Sequence, residues 1–336
     1  MTDRAALMAA FIGQAGWGTA EMRFLAGDAS NRKYHRLHRG AETAVLMDAP
    51  PEKGEDVRPF LHIAGHLRAL GLSAPGCLAA DEAAGFLLLE DLGDDLYARV
   101  LERDPAGEDR LYAAATDVLA HLHAHPAPAG LAAYDTPAMA RAAGLAVGWY
   151  AFAITGERAD PAPLMDAVAE ALDRLAAEPP VVILRDYHAE NLLWLPGRAG
   201  LARVGLLDFQ SAEMGQPAYD LISMLQDARR DVSPGIEPAM IRRFADTTGR
   251  EEAQVARACA ALGAQRALRI LGTFARLSLH YGKPGYVRLI PRVWGQLQQN
   301  LAHPALTGLA RAAALPPPSP AALQRITDQC GTIPTL

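Results

Sequence analysis

The residues with the clearest potential for chemistry lie between positions 185 and 210. Asp186 is followed five positions later by Asn191, and Asp208 ends the next apolar strand pattern. Phosphoryl transfer from ATP needs a carboxylate that orients the acceptor hydroxyl, and amide and carboxylate ligands for Mg²⁺. The spacing therefore predicts that Asp186 is the catalytic residue, that Asn191 and Asp208 are Mg²⁺ ligands, and that ATP is the co-substrate.

The flanking segments predict strands that hold these residues in place. The apolar run at 181–184 is typical of a buried strand that ends just before Asp186. Residues 192–195 and 204–207 flank a Pro-Gly turn, as in a hairpin that ends at Asp208. The alternative is an Asp that caps a turn, followed by an Asn in a loop. The order of strand, loop and hairpin favours the catalytic interpretation.

A second candidate site lies near the N-terminus. Strand patterns at 22–25 and 33–37 flank a loop of small and polar residues, which lets backbone amides approach phosphate oxygens; an ordinary hairpin turn would look the same. A strand at 43–47, a helix near 57–70 and a strand at 85–89 follow in the order of a kinase small lobe. The predicted ATP-binding residues are Gly27, Asp28, Ala29, Ser30, Asn31, Arg32, Lys33 and Arg36 on the hairpin, and Glu90 and Leu92 in the linker after the last strand.

Further blocks of sequence are shared with a known family. They are GDASNRKY at 27–34, LMDAPP at 46–51, LEDLGD at 89–94, the 186–191 loop, LDFQ at 207–210, AYDL at 218–221, LGTFARL at 271–277 and GKP at 282–284. On these blocks the chain resembles the aminoglycoside and choline kinase-like phosphotransferase family, and within it the bacterial anomeric amino-sugar kinases. The resemblance implies an α+β, bilobal, protein-kinase-like fold with a small antiparallel β N-lobe and a larger, mostly helical C-lobe.

The same resemblance implies an activity. The implied protein is an ATP- and Mg²⁺-dependent kinase that phosphorylates the C1 hydroxyl of N-acetylmuramate and/or N-acetylglucosamine during peptidoglycan recycling. Independently of the resemblance, Tyr219 and Asp220 are expected to support the catalytic loop, because a buried carboxylate can accept hydrogen bonds from loop amides. A kinase for another hydroxylated molecule, such as an aminoglycoside or choline, and a regulatory nucleotide-binding pseudokinase stay open as alternatives.

One departure from the kinase pattern concerns a lysine. Kinases usually present a lysine to the α- and β-phosphates from the third strand, but this chain has lysines only at Lys33, Lys53 and Lys283, and none falls on that strand. A guanidinium can clamp phosphate in its place. Arg32, Lys33 and Arg36 are therefore the candidates for phosphate neutralisation.

The acceptor site is predicted from polar residues within or after the catalytic elements. They are His188, Glu190, Gln210, Asp227, Arg229 and Arg276. His188 lies inside the catalytic loop, where it could equally fix the loop through backbone hydrogen bonds. Arg276 could equally form a plain salt bridge. The lactyl carboxylate of N-acetylmuramate would bind favourably to an arginine, whereas a cationic acceptor would need a pocket dense in Asp and Glu.

Length and composition set the broader class. A chain of 336 residues is too long for one small core, which predicts an N-lobe at 1–90, a hinge at 91–93, a C-lobe at 94–314 and a loosely ordered, Pro-rich tail at 315–336. Helical spacing of apolar residues places C-lobe helices near 110–123, 137–155, 163–177, 237–247, 251–278 and 284–301.

Composition also limits the partners. A net charge of −6 argues against a nucleic-acid surface, and no run approaches about 20 apolar residues, so no membrane span is expected. Three cysteines without metal or disulfide spacing fit a reducing cytoplasm. We expect a cytoplasmic monomer whose partners are ATP and a small sugar.

Overall fold

The computed structural model describes residues 4–27 and 31–334. Its strands are β1 (Glu21–Ala26), β2 (Lys33–Arg39), β3 (Glu42–Asp48), β4 (Cys77–Asp81), β5 (Phe86–Glu90), β6 (Val181–Ile183), β7 (Leu192–Trp194), β8 (Val204–Leu206) and β9 (Glu213–Gly215). Its α-helices are α1 (Arg4–Gln14), α2 (Arg58–Ala69), α3 (Tyr97–Arg103), α4 (Glu108–His123), α5 (Thr136–Ala143), α6 (Phe152–Thr155), α7 (Ala162–Leu175), α8 (Ala218–Leu225), α9 (Ile236–Thr248), α10 (Glu252–Leu279), α11 (Ile290–Leu301), α12 (Thr307–Ala312) and α13 (Pro320–Asp328).

These elements form two compact units. The first contains the chain up to Gly107 together with Ala189–Ala212, and the second contains Glu108–His188 and the chain from Glu213 onward. The predicted hinge at 91–93 lies inside the first unit. The chain returns to that unit because β7 and β8 hydrogen-bond to it: Trp194 N donates to Asp95 O, and Leu206 N to Ser73 O, both at 2.8 Å.

The first unit is built on a five-stranded antiparallel sheet in the order β1-β2-β3-β5-β4. The predicted strands at 22–25, 33–37, 43–47 and 85–89 are confirmed, and β4 is additional. One face of the sheet packs on α1, where Phe11 stacks on Phe86 with ring centroids 5.6 Å apart. Because side chains alternate along a strand, Tyr34 and Arg36 of β2 lie on the opposite face from Leu37 of this core.

The second unit is mostly helical and centres on α10. Most of the 28 residues of this helix are buried, and Gly272 permits a close approach, since a Cβ there would lie 2.2 Å from the backbone carbon of Leu145. Just after Leu145, the π-helical turn Ala146–Ala151 interrupts the helix predicted near 137–155. Thr136–Thr155 is long and apolar enough to cross a bilayer by length and composition alone, a weak indication because half-buried core helices pass the same test.

The end of the chain differs from the loose tail expected from its prolines. Residues Pro320–Asp328 form α13, whose Ala322 and Ile326 are buried one turn apart. Ser278 Oγ of α10 donates to Ile326 O at 3.0 Å, and Tyr150 Oη donates to Pro316 O at 2.7 Å. The Pro-rich segment therefore leads into a docked helix with an apolar face of its own.

Candidate active site

The two predicted metal ligands are adjacent in the first unit, at the open end of the β7–β8 hairpin. Leu207 N donates to Asn191 O at 3.0 Å, which brings Asn191 beside the residue preceding Asp208. Asp208 has a φ of 56°, a left-handed conformation that is rare for a residue with a side chain and that occurs often at functional sites. Gln210 Nε2 donates to Asp208 Oδ1 at 2.6 Å, so it orients the carboxylate.

The chemistry of this pair fits Mg²⁺. An amide oxygen and a carboxylate are hard ligands, and Mg²⁺ is commonly held by one or two protein side chains together with substrate phosphates and waters. Across residues 4–27 and 31–334, no cluster of three or more His, Cys, Asp and Glu could form a complete metal cage. Asn191 and Asp208 would therefore hold an ion that arrives with a nucleotide, where it would neutralise phosphate charge.

A cavity of about 320 Å³ opens in the first unit beside these ligands. Its size and largely apolar walls suit a nucleotide base and ribose. Of the residues assigned to ATP, Arg36, Glu90 and Leu92 line it. The lining also includes Tyr34, Val45, Phe60, Leu89, Asp91, Gly93, Asp94, Arg99, Glu190, Asn191 and Asp208.

The predicted phosphate loop is only partly visible. Asp28, Ala29 and Ser30 lie outside the described residues. The described members, Gly27, Asn31, Arg32 and Lys33, do not line the cavity. Asn31 N donates to Glu55 Oε1 at 2.9 Å, and Arg32 Nε lies 3.3 Å from Glu55 Oε2. The assignment of this loop to the phosphates stays a prediction.

Arg36, a candidate substitute for the missing lysine, is already paired. Its Nε lies 2.8 Å from Asp91 Oδ2 and its Nη1 lies 2.7 Å from Asp94 Oδ2. Hydrogen bonding to Asp94 raises the pKa of Arg36. Lys33 is exposed and, by alternation along β2, faces away from the side of the sheet that carries Arg36. In this structure Arg36 therefore fixes the 91–94 segment.

The predicted catalytic residue, Asp186, lies in the second unit, in the loop after β6. Asp220 of α8 is fully buried beneath this loop; its Oδ2 accepts Leu184 N at 2.5 Å and its Oδ1 accepts Arg185 N at 3.0 Å. This confirms the expected support of the loop by Asp220. Burial raises the pKa of Asp220 to about 7. Arg185, at a φ of 72°, pairs with Glu213 and completes the loop.

Three of the predicted acceptor residues come together in the second unit. His188 is 5% exposed, and burial lowers its pKa to about 4, so its ring is neutral at neutral pH. His188 Nε2 lies 3.2 Å from Arg229 Nη1 and accepts its hydrogen bond, because a guanidinium cannot accept one. Asp227 Oδ1 accepts Arg229 N at 2.8 Å, while the buried Asp227 Oδ2 has no hydrogen-bond partner.

The other three acceptor candidates lie elsewhere. Glu190 and Gln210 belong to the first unit, where Glu190 lines the cavity and Gln210 orients Asp208. Arg276 lies on α10 of the second unit. Two more arginines of this helix, Arg266 and Arg269, were not among the predicted site residues, although their spacing from Arg276 is visible in the sequence.

This combination of fold and residues has a known counterpart. Residues 21–255 match the model of the phosphotransferase enzyme family, and the chain belongs to that family. It is therefore a phosphotransferase, and the predicted α+β, protein-kinase-like fold class is confirmed.

Individual relatives agree with the family assignment. The N-acetylmuramate/N-acetylglucosamine kinase of Caulobacter vibrioides is 42% identical over 92% of this chain and 95% of its own length. A choline/ethanolamine kinase family protein from Mesorhizobium loti superposes with a TM-score of 0.60 at 14% identity, covering 97% of this chain and 100% of that one. The streptomycin–ATP ternary complex of APH(2")-IIa superposes with a TM-score of 0.57 at 14% identity, covering 91% and 98%. The last two similarities concern the fold alone.

Proposed function

We propose that the protein is an ATP-dependent kinase that phosphorylates the C1 hydroxyl of N-acetylmuramate and N-acetylglucosamine. The observation that carries the proposal is the placement of Asn191 and Asp208 together in the lining of a cavity that suits a nucleotide base and ribose. The name of the Caulobacter relative supports the choice of sugars. The anomeric position, and a role in peptidoglycan recycling toward UDP-sugar precursors, follow from the resemblance in sequence.

In this proposal each unit of the chain has its own task. The first unit accepts adenine along residues 90–92 and holds Mg²⁺ through Asn191 and Asp208. The second unit supplies Asp186, which orients the C1 hydroxyl and accepts its proton as the hydroxyl oxygen bonds to the γ-phosphorus of ATP. The bond from that phosphorus to the bridging oxygen breaks, and ADP leaves. His188, Asp227 and Arg229 supply polar contacts to the sugar.

The charges of the second unit favour an uncharged or acidic acceptor. Arg229 contacts His188, and the buried Arg266 is subject to the charges of Asp186 and Asp227. A cationic aminoglycoside or choline would meet these guanidinium groups unfavourably. We further propose that the protein is a cytoplasmic monomer that binds neither nucleic acid nor membrane; Cys77, Cys259 and Cys330 are all free thiols, as a reducing compartment requires.

The test is Mg²⁺-dependent ADP release with N-acetylmuramate, N-acetylglucosamine, kanamycin and choline as acceptors. We expect turnover with the two sugars, together with loss of the reducing end, because only phosphorylation at C1 blocks ring opening. Phosphorus NMR of the product would identify the phosphorylated carbon.

Two variants control the assay. Asp186→Asn should abolish turnover and leave ATP binding intact. Asp166→Asn changes an exposed carboxylate of α7 and should have no effect. Turnover that survives Asp186→Asn would refute the catalytic assignment, and a product that keeps its reducing end would refute phosphorylation at C1.

A further inference from the structure

One face of α10 carries a row of arginines. Arg266, Arg269, Thr273 and Arg276 follow one another at intervals of three or four residues, which places their side chains on the same face of a helix. In all three arginines the Nε atom is buried and has no hydrogen-bond partner. None of the three forms an ion pair with another residue of the described chain.

Arg266 and Arg269 are the members of this row on which the charge of the predicted catalytic residue acts. Arg266 is only 5% exposed, and its one hydrogen bond runs from Nη1 to Gln226 O at 2.9 Å. The charge of Asp186 acts on both arginines. Tyr219 has the strongest influence on Arg269 and raises its pKa, in part because the two side chains approach each other. This approach falls short of hydrogen-bond geometry, so the buried Tyr219 hydroxyl is left without a hydrogen-bond partner.

Such an arrangement is costly unless an anion joins it. A buried cation is normally paired with a carboxylate, and two guanidinium groups one helical turn apart repel each other. The charge of Asp186 offsets this cost only in part, because neither arginine forms an ion pair with it. Burial lowers the pKa of Arg266, as expected for a cation without an adjacent counter-ion. The donors that remain unused at Arg266, Arg269 and Tyr219 match an anionic oxygen group.

An acidic amino sugar carries such a group in a suitable place. In N-acetylmuramate the lactyl ether is attached at C3, two ring bonds from C1. When the C1 hydroxyl lies at Asp186, a carboxylate on C3 stays near this end of the sugar. The neutral N-acetylglucosamine has only a hydroxyl there, which cannot compensate the two charges.

On the basis of the proposed function, we infer that Arg266 and Arg269, together with the Tyr219 hydroxyl, form a carboxylate-binding site for the lactyl group of N-acetylmuramate. A guanidinium can hold a carboxylate with two parallel hydrogen bonds. The site makes the acidic sugar the preferred acceptor, because with the neutral sugar the buried donors stay without partners.

The experiment compares kcat/KM for the two sugars in the unaltered protein, Arg269→Gln and Arg269→Lys. Arg269→Gln should lower kcat/KM for N-acetylmuramate about 100-fold and change that for N-acetylglucosamine less than about threefold. Arg269→Lys should give an intermediate value, because an ammonium keeps the charge but loses the planar fork. Arg257→Gln is the matched control, since this arginine lies on the same helix but is 41% exposed, 4.0 Å from Glu251.

The outcomes separate the inference from the proposed function. Equal losses of kcat/KM for both sugars would mean that Arg269 only supports the catalytic loop. No loss of kcat/KM for either sugar would mean that Arg269 has no role in acceptor binding. Each of these results would overturn the inference. N-acetylglucosamine has no carboxylate, so its turnover reports on the kinase activity alone. If the unaltered protein phosphorylates neither sugar, the proposed function fails, and the carboxylate site falls with it.

Discussion

Asp220 holds the catalytic loop through two separate hydrogen bonds, and its replacement by Asn removes one of them. Its Oδ2 accepts Leu184 N and its Oδ1 accepts Arg185 N. In Asp220→Asn one oxygen becomes an NH₂ group with no lone pair to offer, so one loop amide loses its acceptor. A hydrogen bond to a charged group contributes about 1.5–3 kcal/mol, which corresponds to about 10- to 150-fold in rate if the loop must be ordered for turnover.

The assay is kcat from coupled ADP release at saturating ATP and sugar. The KM for ATP should stay within about twofold, because the residues lining the cavity belong to the first unit, whereas Asp220 belongs to the second. Asp166→Asn controls for loss of a carboxylate elsewhere in the second unit. A kcat for Asp220→Asn within about twofold of the unaltered protein, with the fold intact by circular dichroism, would refute this account of the loop.

The same carboxylate predicts a pH effect. Its pKa of about 7 is raised by burial, so it becomes protonated as the pH falls through 7. One of its oxygens is then a hydroxyl, much like the NH₂ of Asn. The unaltered protein should therefore lose kcat below about pH 7, and Asp220→Asn should lack this limb. An unchanged limb in the variant would assign the titration to another group.

Three further results are expected. Gly272→Ala should lower the free energy of unfolding in urea by about 3 kcal/mol or more, because the new Cβ would meet the backbone of Leu145. Gly295→Ala on α11 should raise the same free energy by about 1 kcal/mol, because a Cβ there faces open space. Equal effects of the two substitutions would contradict this packing. Burial lowers the pKa of His123 to about 4, so between about pH 6.5 and 4 the imidazole is protonated in the unfolded chain but not in the folded one. The folded protein should therefore lose about 3 kcal/mol of stability as the pH falls through this range, and His123→Leu should remove that loss. Curves of unfolding free energy against pH that run parallel for the two proteins would refute this. Removal of Mg²⁺ with a chelator should weaken ATP binding at least about tenfold in calorimetry, and equal affinities would contradict the metal assignment.

Much of the first unit could be predicted because its pattern is local. Alternating and apolar runs identified β2, β3 and β5, and their register followed from the sheet. β4 was missed because Cys77–Asp81 is a short edge strand with two alanines and little apolar alternation. The return of Ala189–Ala212 to the first unit was also missed, since no local pattern encodes which unit a hairpin joins.

The residues of the candidate site also differ in how far a local sequence pattern could reveal them. The Asp186–Asn191 spacing is a local motif, and the sequence sufficed to identify it and the supporting Asp220. Arg266 and Arg269 were not singled out, because an arginine on a helix usually forms a surface ion pair. What distinguishes them in the described structure is the burial of Arg266 and the buried Nε atom of each arginine, which has no hydrogen-bond partner. The sequence therefore indicated the residues proposed for catalysis more readily than those proposed to select the acceptor.

The missing lysine has a consequence for how the cavity meets ATP. Among its described lining residues the cations are Arg36 and Arg99; Arg36 pairs with Asp91 and Asp94, and Arg99 Nη1 lies 3.9 Å from Asp94. Against these two arginines the lining carries five carboxylates, at Glu90, Asp91, Asp94, Glu190 and Asp208, which gives it a net charge of −3. Because these described walls carry no surplus cation, in the proposed kinase Mg²⁺ would supply most of the compensation for phosphates placed against them. The steep magnesium dependence expected above follows from this balance, and nucleotide binding should depend more on the metal ligands than on any replacement for the lysine.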